Sequence, residues 1–446
     1  MSDGVRLAVS FYEPTGTPPA DGWPAVMLFH GLGETRDSVV SSSWSENGIA
    51  ETYLAPAGYA ALTFDARAHG GSGGLFSLDG PRELQDTREL FAWLTAHAEI
   101  DRKRVGAFGV SLGAAMIWLA TVSGVPFRAI VPAASWIDLE QALAPQGLVR
   151  AGLVLGFAAD VPLSSYAPEL SAALKDALAG RDPAGVRAFL AERSPGARLR
   201  GLTVPTLIVQ GRRDFAFDAD QGIAAYRLLR GPKRLYLSDH GHPPSPDPAG
   251  EIPHVAIEAR AWFDCYLKDE PGTFGRRPQV ELATDPWSGK TVTYDGLPPT
   301  RTLRFAHRGN STLTASGKVV RTFPRVPHVE TFGTPALRVQ VSSRTGYSHL
   351  VVAVTAVRRN GSQLLLSDGG AATPTLGPKP RTVTIRLPDE ITSVPRGSRL
   401  RLTIGATSTV QSPSNPVYLI PVAPGSKATI GRVAFSLPVL RKPVSP

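Results

Sequence analysis

Apolar residues fall along this chain in two rhythms. In the first half they come as short unbroken runs: PAVMLFH (24–30), YAALTFD (59–65), FRAIVP (127–132), TVPTLIVQ (203–210) and KRLYLS (233–238). Each run is bounded by turn residues, which is the pattern of a strand buried on both faces. Between the runs, Arg82 to His97 sets Leu84, Phe91 and Leu94 on one face, and Ala219 to Arg230 and the segment WFDCYL (262–267) also read as helices. Val5 to Tyr12 alternates like an edge strand. Strands alternating with helices predict a mostly parallel, doubly wound sheet with helices on both faces.

From Pro278 the period changes to two. VELATD, TLRFAH, LRVQVSS, HLVVAVTAV, SQLLLSD, RTVTIRL, RLRLTIGAT and RVAFSLPVL are separated by Gly, Pro, Asn and Ser turns, which predicts an all-β antiparallel sandwich. Between Asp138 and Arg200 the strand-helix alternation lapses into Ala/Leu-rich short helices. This stretch reads as a small helical cap inserted over the sheet, with Leu148, Val149, Leu153, Leu155 and Phe157 offering an apolar lining; a packing helix that never meets substrate fits it equally well. The expected organisation is therefore a catalytic domain over 1–278, with the cap at about 138–200, and a β-sandwich over 279–446.

Charge sharpens that boundary. Residues 279–446 carry 21 Lys+Arg against 7 Asp+Glu, whereas 1–278 are net negative by 5, within a total of +9. The basic residues are scattered singly along strands with no aromatic platform, so a solvated face is expected and no nucleic-acid partner. No run of 18 apolar residues occurs, so no stable membrane insertion is expected. The opening MSDGVRLAVSFYEP lacks a basic-then-apolar leader; the expectation is a cytoplasmic protein, or an exported one whose leader has been removed. The single cysteine, Cys265, excludes an internal disulfide and reads as a packing residue.

The chemistry gathers around RVGAFGVSLGAAMIWLA. An apolar strand enters Gly109-Val110-Ser111-Leu112-Gly113 and a helix-forming run leaves it, the strand-turn-helix context of a nucleophile elbow. A second copy of the pattern, Gly70-Gly71-Ser72-Gly73-Gly74, leads into a loop, and Ser72 reads as a surface turn. A serine hydroxyl needs a base, normally a histidine oriented by a carboxylate. On such a sheet the acid and then the histidine follow in chain order, each just past a strand end. Asp214 fits the acid position, with Asp218 as the alternative. His242 fits the base position, preferred over His240 because Gly241 frees the loop to turn it inward. The amide of Leu112 and that of Leu32, in His30-Gly31-Leu32-Gly33, are the expected oxyanion donors. His30 and His69 read as hydrogen-bonding scaffolds. The remaining histidines show no ligand spacing, so neither a metal nor another cofactor is expected.

Together these residues resemble the α/β-hydrolase fold. SDGVRLAVSFYEP, FDARAHGGSGG, PTLIVQGRRDFAFD and WFDCYLKDEPG with its β-rich tail are similar to segments of the cocaine esterase and X-Pro dipeptidyl-peptidase family. That resemblance implies a C-terminal jelly-roll sandwich and a serine hydrolase acting through an acyl-enzyme on Ser111. Members of that family often place a tyrosine in the oxyanion hole, where HGLGETRD has none, and no acidic pair for a substrate amino terminus stands out. A carboxylic ester of a small molecule is thus the expected substrate. An X-Pro dipeptidyl aminopeptidase is the alternative, and a non-catalytic envelope- or polymer-binding protein is the alternative from another class.

Overall fold

The computed structural model describes residues 1–37, 46–242, 245, 248, 250–270, 272, 277–373, 376–408 and 418–445. Among these residues nine strands form the main sheet: β1 (Val9–Tyr12), β2 (Trp23–Phe29), β3 (Ala60–Phe64), β4 (Ile100–Val110), β5 (Ala129–Ala133), β6 (Thr206–Gly211), β7 (Lys233–Ser238), β8 (Val280–Ala283) and β9 (Thr291–Tyr294). Their order is β1-β3-β2-β4-β5-β6-β7-β8-β9. The strands from β3 to β8 run parallel, and β1 and β9 close the two edges antiparallel.

Both faces of the sheet are buried, and successive side chains go to opposite layers. In β2, Ala25, Met27 and Phe29 join Met116, Ile117 and Ile223 of the helices Leu112–Val122 and Ala219–Leu228. Val26 and Leu28 face the other way, toward Val255, Trp262 and Phe263 of the helix Ile252–Leu267. This two-sided burial explains why the runs read as continuous rather than alternating.

One expectation is corrected here. VELATD, assigned to the sandwich from its alternating texture, is β8 of the main sheet, paired parallel to β7 through Leu235↔Val280. A short segment shows the same period in either setting, and only its partner tells them apart. The change of sheet falls between Tyr294 and Thr300.

Beyond it, one antiparallel sheet is built on Thr300–His307, Ala336–Ser342, Arg381–Arg386 and the long strand Lys427–Leu440, and a second on Val319–Arg325, His349–Val357, Gln363–Ala372 and Arg399–Gly405. Leu337, Val339 and Phe435 from the first share one buried cluster with Val352, Val354 and Leu402 from the second, so the two sheets pack face to face. Among the described residues no helix is long and apolar enough to cross a membrane.

Between β5 and β6 the chain leaves the sheet and forms four helices, Leu139–Leu143, Ala151–Ala159, Pro168–Ala179 and Pro183–Glu192. They sit on an apolar layer that includes Leu112, Trp136, Leu153, Leu170 and Phe217. Of the five residues expected to line a pocket, Val149 and Phe157 do so. Leu148 packs instead on Val351 and Tyr418 of the β-sandwich, Leu153 is buried in the layer below, and Leu155 is exposed.

Candidate active site

The strand order reverses around β2 and β4, which lie side by side while β3 lies beyond β2. In open α/β sheets, ligands bind at the carboxyl ends of the strands at such a reversal. Ser111 stands there, between the end of β4 and the helix Leu112–Val122, with φ 54° and ψ −116°. That backbone is strained for a residue with a side chain. It is held by the Ser111 amide donating to the Ala133 carbonyl (2.9 Å) and by the Ser135 hydroxyl donating to the Ser111 carbonyl (2.8 Å). Glycines are required on either side because the helix starts pressed against β2. A Cβ at Gly113 would lie 2.7 Å from the His30 carbonyl oxygen and closer still to that of Phe29. A Cβ at Gly109 would lie 2.9 Å from the Phe29 carbonyl oxygen and from the Gly113 backbone.

Ser111, His242 and Asp214 form one chain of hydrogen bonds. Ser111 Oγ is 3.1 Å from His242 Nε2, and His242 Nδ1 is 3.1 Å from Asp214 Oδ2. The Asp214 carboxylate is buried and fixed from behind. Its Oδ1 accepts the amides of Ala216 (3.0 Å) and Phe217 (2.9 Å), and its Oδ2 accepts from Gln210 Nε2 (3.3 Å). Since that carboxylate accepts, His242 Nδ1 carries the proton and Nε2 is free to accept one from the serine. Phe217 packs edge-on against the imidazole at 5.1 Å.

The alternatives lie elsewhere. Asp218 precedes the helix Ala219–Leu228, and burial together with the charge of Asp220 pushes its pKa up to about 8. His240 is 4.0 Å from Glu251, and burial pushes its pKa down to about 4. Ser72 is tied into its turn, donating to the Asp65 carbonyl (2.7 Å) and accepting the Ala8 amide (2.8 Å).

The loop bearing Leu32 is braced by two histidines. His30 Nε2 accepts the Ala66 amide (2.8 Å) and its Nδ1 meets the Gly31 carbonyl (2.7 Å). His69 Nε2 accepts the Gly33 amide (3.2 Å) and its Nδ1 meets the Arg67 carbonyl (2.8 Å). Each pattern requires a neutral ring protonated on Nδ1. Burial, and then the neighbouring His69, hold the His30 pKa down at about 4. Leu32 and Leu112 line one cavity with Ser111, and among the described residues no acceptor takes either amide.

Sequence reasoning missed two carboxylates. Glu34 accepts the Gly31 amide (2.9 Å), and Asp160, at the end of the cap helix Ala151–Ala159, packs on Gly33. Burial raises the pKa of each, and the charge of His242 acts against that rise in both. Glu34 is four residues past His30, so its position beside the elbow was legible; Asp160 depends on how the cap folds back.

A wound parallel sheet with a serine on its central elbow and a histidine and aspartate after later strands defines the α/β-hydrolase class. The chain belongs to the X-Pro dipeptidyl-peptidase (S15) family, whose model matches residues 3–243. It is 32% identical over 313 residues to the cocaine esterase of Rhodococcus sp., an alignment covering 66% of this chain and 48% of that protein, so the chain spans about half the length of this relative. Two solved structures share the fold across 99% of the chain. A CocE/NonD family hydrolase from Staphylococcus aureus has a TM-score of 0.77 at 15% identity, with 92% of that chain covered. An aminopeptidase from a marine-sediment Thaumarchaeota archaeon has a TM-score of 0.72 at 16% identity, with 95% covered. The family is one of hydrolases, with esterases and peptidases among the similar proteins.

Proposed function

We propose that the protein is a serine hydrolase of carboxylic esters, with Ser111 as nucleophile, His242 as general base and Asp214 as the group that orients the imidazole. The observation that carries this is the Ser111–His242–Asp214 hydrogen-bond chain at the elbow. Ser111 Oγ attacks the acyl carbon as its proton passes to His242 Nε2. The Leu32 and Leu112 amides receive the oxyanion, and each such donor contributes about 3 kcal/mol to the transition state. His242 returns the proton to the leaving alcohol, and water releases the acyl group by the same route. These steps require no cofactor.

The esterase reading is supported by the similarity to cocaine esterase and by the apolar surroundings of Ser111. Glu34 and Asp160 favour the peptidase as the second reading, because their fields would attract a cationic amino terminus near His242. Turnover of p-nitrophenyl acetate and of Ala-Pro-p-nitroanilide, with fluorophosphonate labelling of the wild type and of Ser111→Ala, tests the proposal. Ester turnover and labelling that both vanish in the variant are expected. Fast anilide release with negligible ester turnover reverses the order of the two readings. A wild type that is neither labelled nor active on either compound rejects both.

A further inference from the structure

A cavity of about 100 Å³, partly open to solvent, lies beside Ser111. We infer that it holds the acyl half of the substrate as an unbranched apolar chain, with Ala173 and Ala177 setting the length accepted. The inference rests on the ester-hydrolase reading above and goes on to name the substrate class.

The lining is the first ground. Among the described residues no Asp, Glu, Lys, Arg or His contributes to it. Two of its side chains besides Ser111 carry polar atoms, and both are occupied: the Trp136 indole donates to the Arg193 carbonyl (2.9 Å) and the Tyr166 hydroxyl to the Ala158 carbonyl (3.2 Å). A charged or strongly polar group placed there would lose its hydration with nothing in return. An aliphatic chain gains from burial at every methylene.

The direction of the chemistry is the second ground. The leaving oxygen must take its proton from His242 Nε2, so the alcohol departs on the imidazole side. The cavity is lined by Ser111 and by both candidate oxyanion residues, but not by His242. The half of the ester pointing into it is therefore the acyl half.

Shape is the third. One wall is a face of the helix Pro168–Ala179, presenting Leu170, Ala173, Leu174 and Ala177. Leu170 to Ala177 is two turns, a span of about 10 Å. An extended chain advances roughly 1.2 Å per bond, so about eight carbons fit along it. Ala173 and Ala177 are one turn apart, and their small side chains leave the groove that larger residues would fill.

The test is the kcat/KM of the full chain on p-nitrophenyl acetate, butyrate, octanoate and dodecanoate, with ethyl and octyl acetate titrated in parallel to vary the alcohol. In the wild type the octanoate-to-acetate ratio is expected to reach about tenfold or more, well within what six added methylenes can supply. Ala173→Phe and Ala177→Phe should each lower that ratio about tenfold, and Leu174→Ala should move the optimum toward dodecanoate. A flat acyl series, a dependence that follows the alcohol instead, or ratios unmoved by all three variants overturns the inference while leaving the hydrolase intact. Should the phenylalanine variants not fold, the Leu174→Ala shift decides alone. Absence of turnover on every ester together with an unlabelled Ser111 removes the hydrolase reading itself, and this inference with it.

Discussion

The Arg212 guanidinium and the Glu330 carboxylate form a fully buried ion pair that fastens the Asp214 loop to the β-sandwich. Arg212 follows β6 directly, two residues before the candidate acid, and it also donates to the carbonyls of Ile391 (3.1 Å) and Ala283. Glu330 in turn accepts the amides of Val444 (2.6 Å) and Ser445 (3.0 Å) and the Ser445 hydroxyl (2.9 Å). Burial alone would raise the Glu330 pKa, but Arg212 and these amides outweigh it and hold the carboxyl below its usual range. The second layer of the molecule thus grips the strand end on which the acid depends.

Breaking that pair leaves a charge buried with no counterpart. Glu330→Gln is expected to destabilise the chain by about 3–5 kcal/mol, read from urea denaturation. Arg212→Met combined with Glu330→Gln should cost much less than the two single changes added together, because no bare charge then remains. Additive losses would show that the pair is not coupled.

Gly113→Ala should reverse the usual helix rule. Alanine in a helix normally improves stability over glycine by about 0.5–1 kcal/mol. Here the added Cβ meets the Phe29 and His30 carbonyls, so a loss of roughly 1–3 kcal/mol is expected. Because the same shift displaces Ser111, the rate of fluorophosphonate labelling should fall with it. A stabilised, fully labelled variant would contradict the close approach of the elbow to β2.

The two histidines of the Asp239-His240-Gly241-His242 segment should part in their effects. His242→Ala is expected to reduce ester turnover by three orders of magnitude or more, as loss of a triad base does. His240→Ala should leave catalysis far less affected and show itself in melting temperature. The opposite ranking in turnover would move the base to His240.

Stability should decline as pH rises from 6.5 to 8.5. Burial pushes the carboxyls of Asp218 and Glu390 up to about 8 and that of Asp368 up to about 7, with Asp220 adding to the rise at Asp218. The unfolded chain releases these protons near pH 4, so above that the folded state is the one that must hold them. Stability then falls with pH by up to about 1.4 kcal/mol per unit for each proton retained. His30 and His240 act in the opposite sense. The unfolded chain protonates them below about 6.5 and the fold refuses the proton down to about 4, so their loss is confined to acid pH. Melting temperatures across pH 5–9 check this, and Asp218→Asn should flatten the decline above 6.5.

Most of the main sheet was legible because buried parallel strands write themselves as continuous apolar runs. The run YAALTFD became Ala60–Phe64 and KRLYLS became Lys233–Ser238. The elbow was legible because only glycine tolerates the approach of the helix to β2. What failed depends on partners distant in sequence. VELATD could have paired in either β region, and nothing local showed that β7 would claim it. Leu148 is as apolar as Val149, but one faces the β-sandwich and the other the cavity, a choice made by the docking of the cap on Val351 and Tyr418. Asp160 went unnoticed for the same reason.

The contacts of Glu330 with Val444 and Ser445 also set an order of events during synthesis. The Asp214 loop is translated long before Val444 and Ser445, which hold Glu330, emerge from the ribosome. A nascent chain halted soon after His242 would hold all three residues of the candidate triad yet lack the Glu330 clamp beside its acid. Completion of the candidate site is thus tied to synthesis of Glu330, Val444 and Ser445, and products that stop short of them should emerge inert rather than half-active.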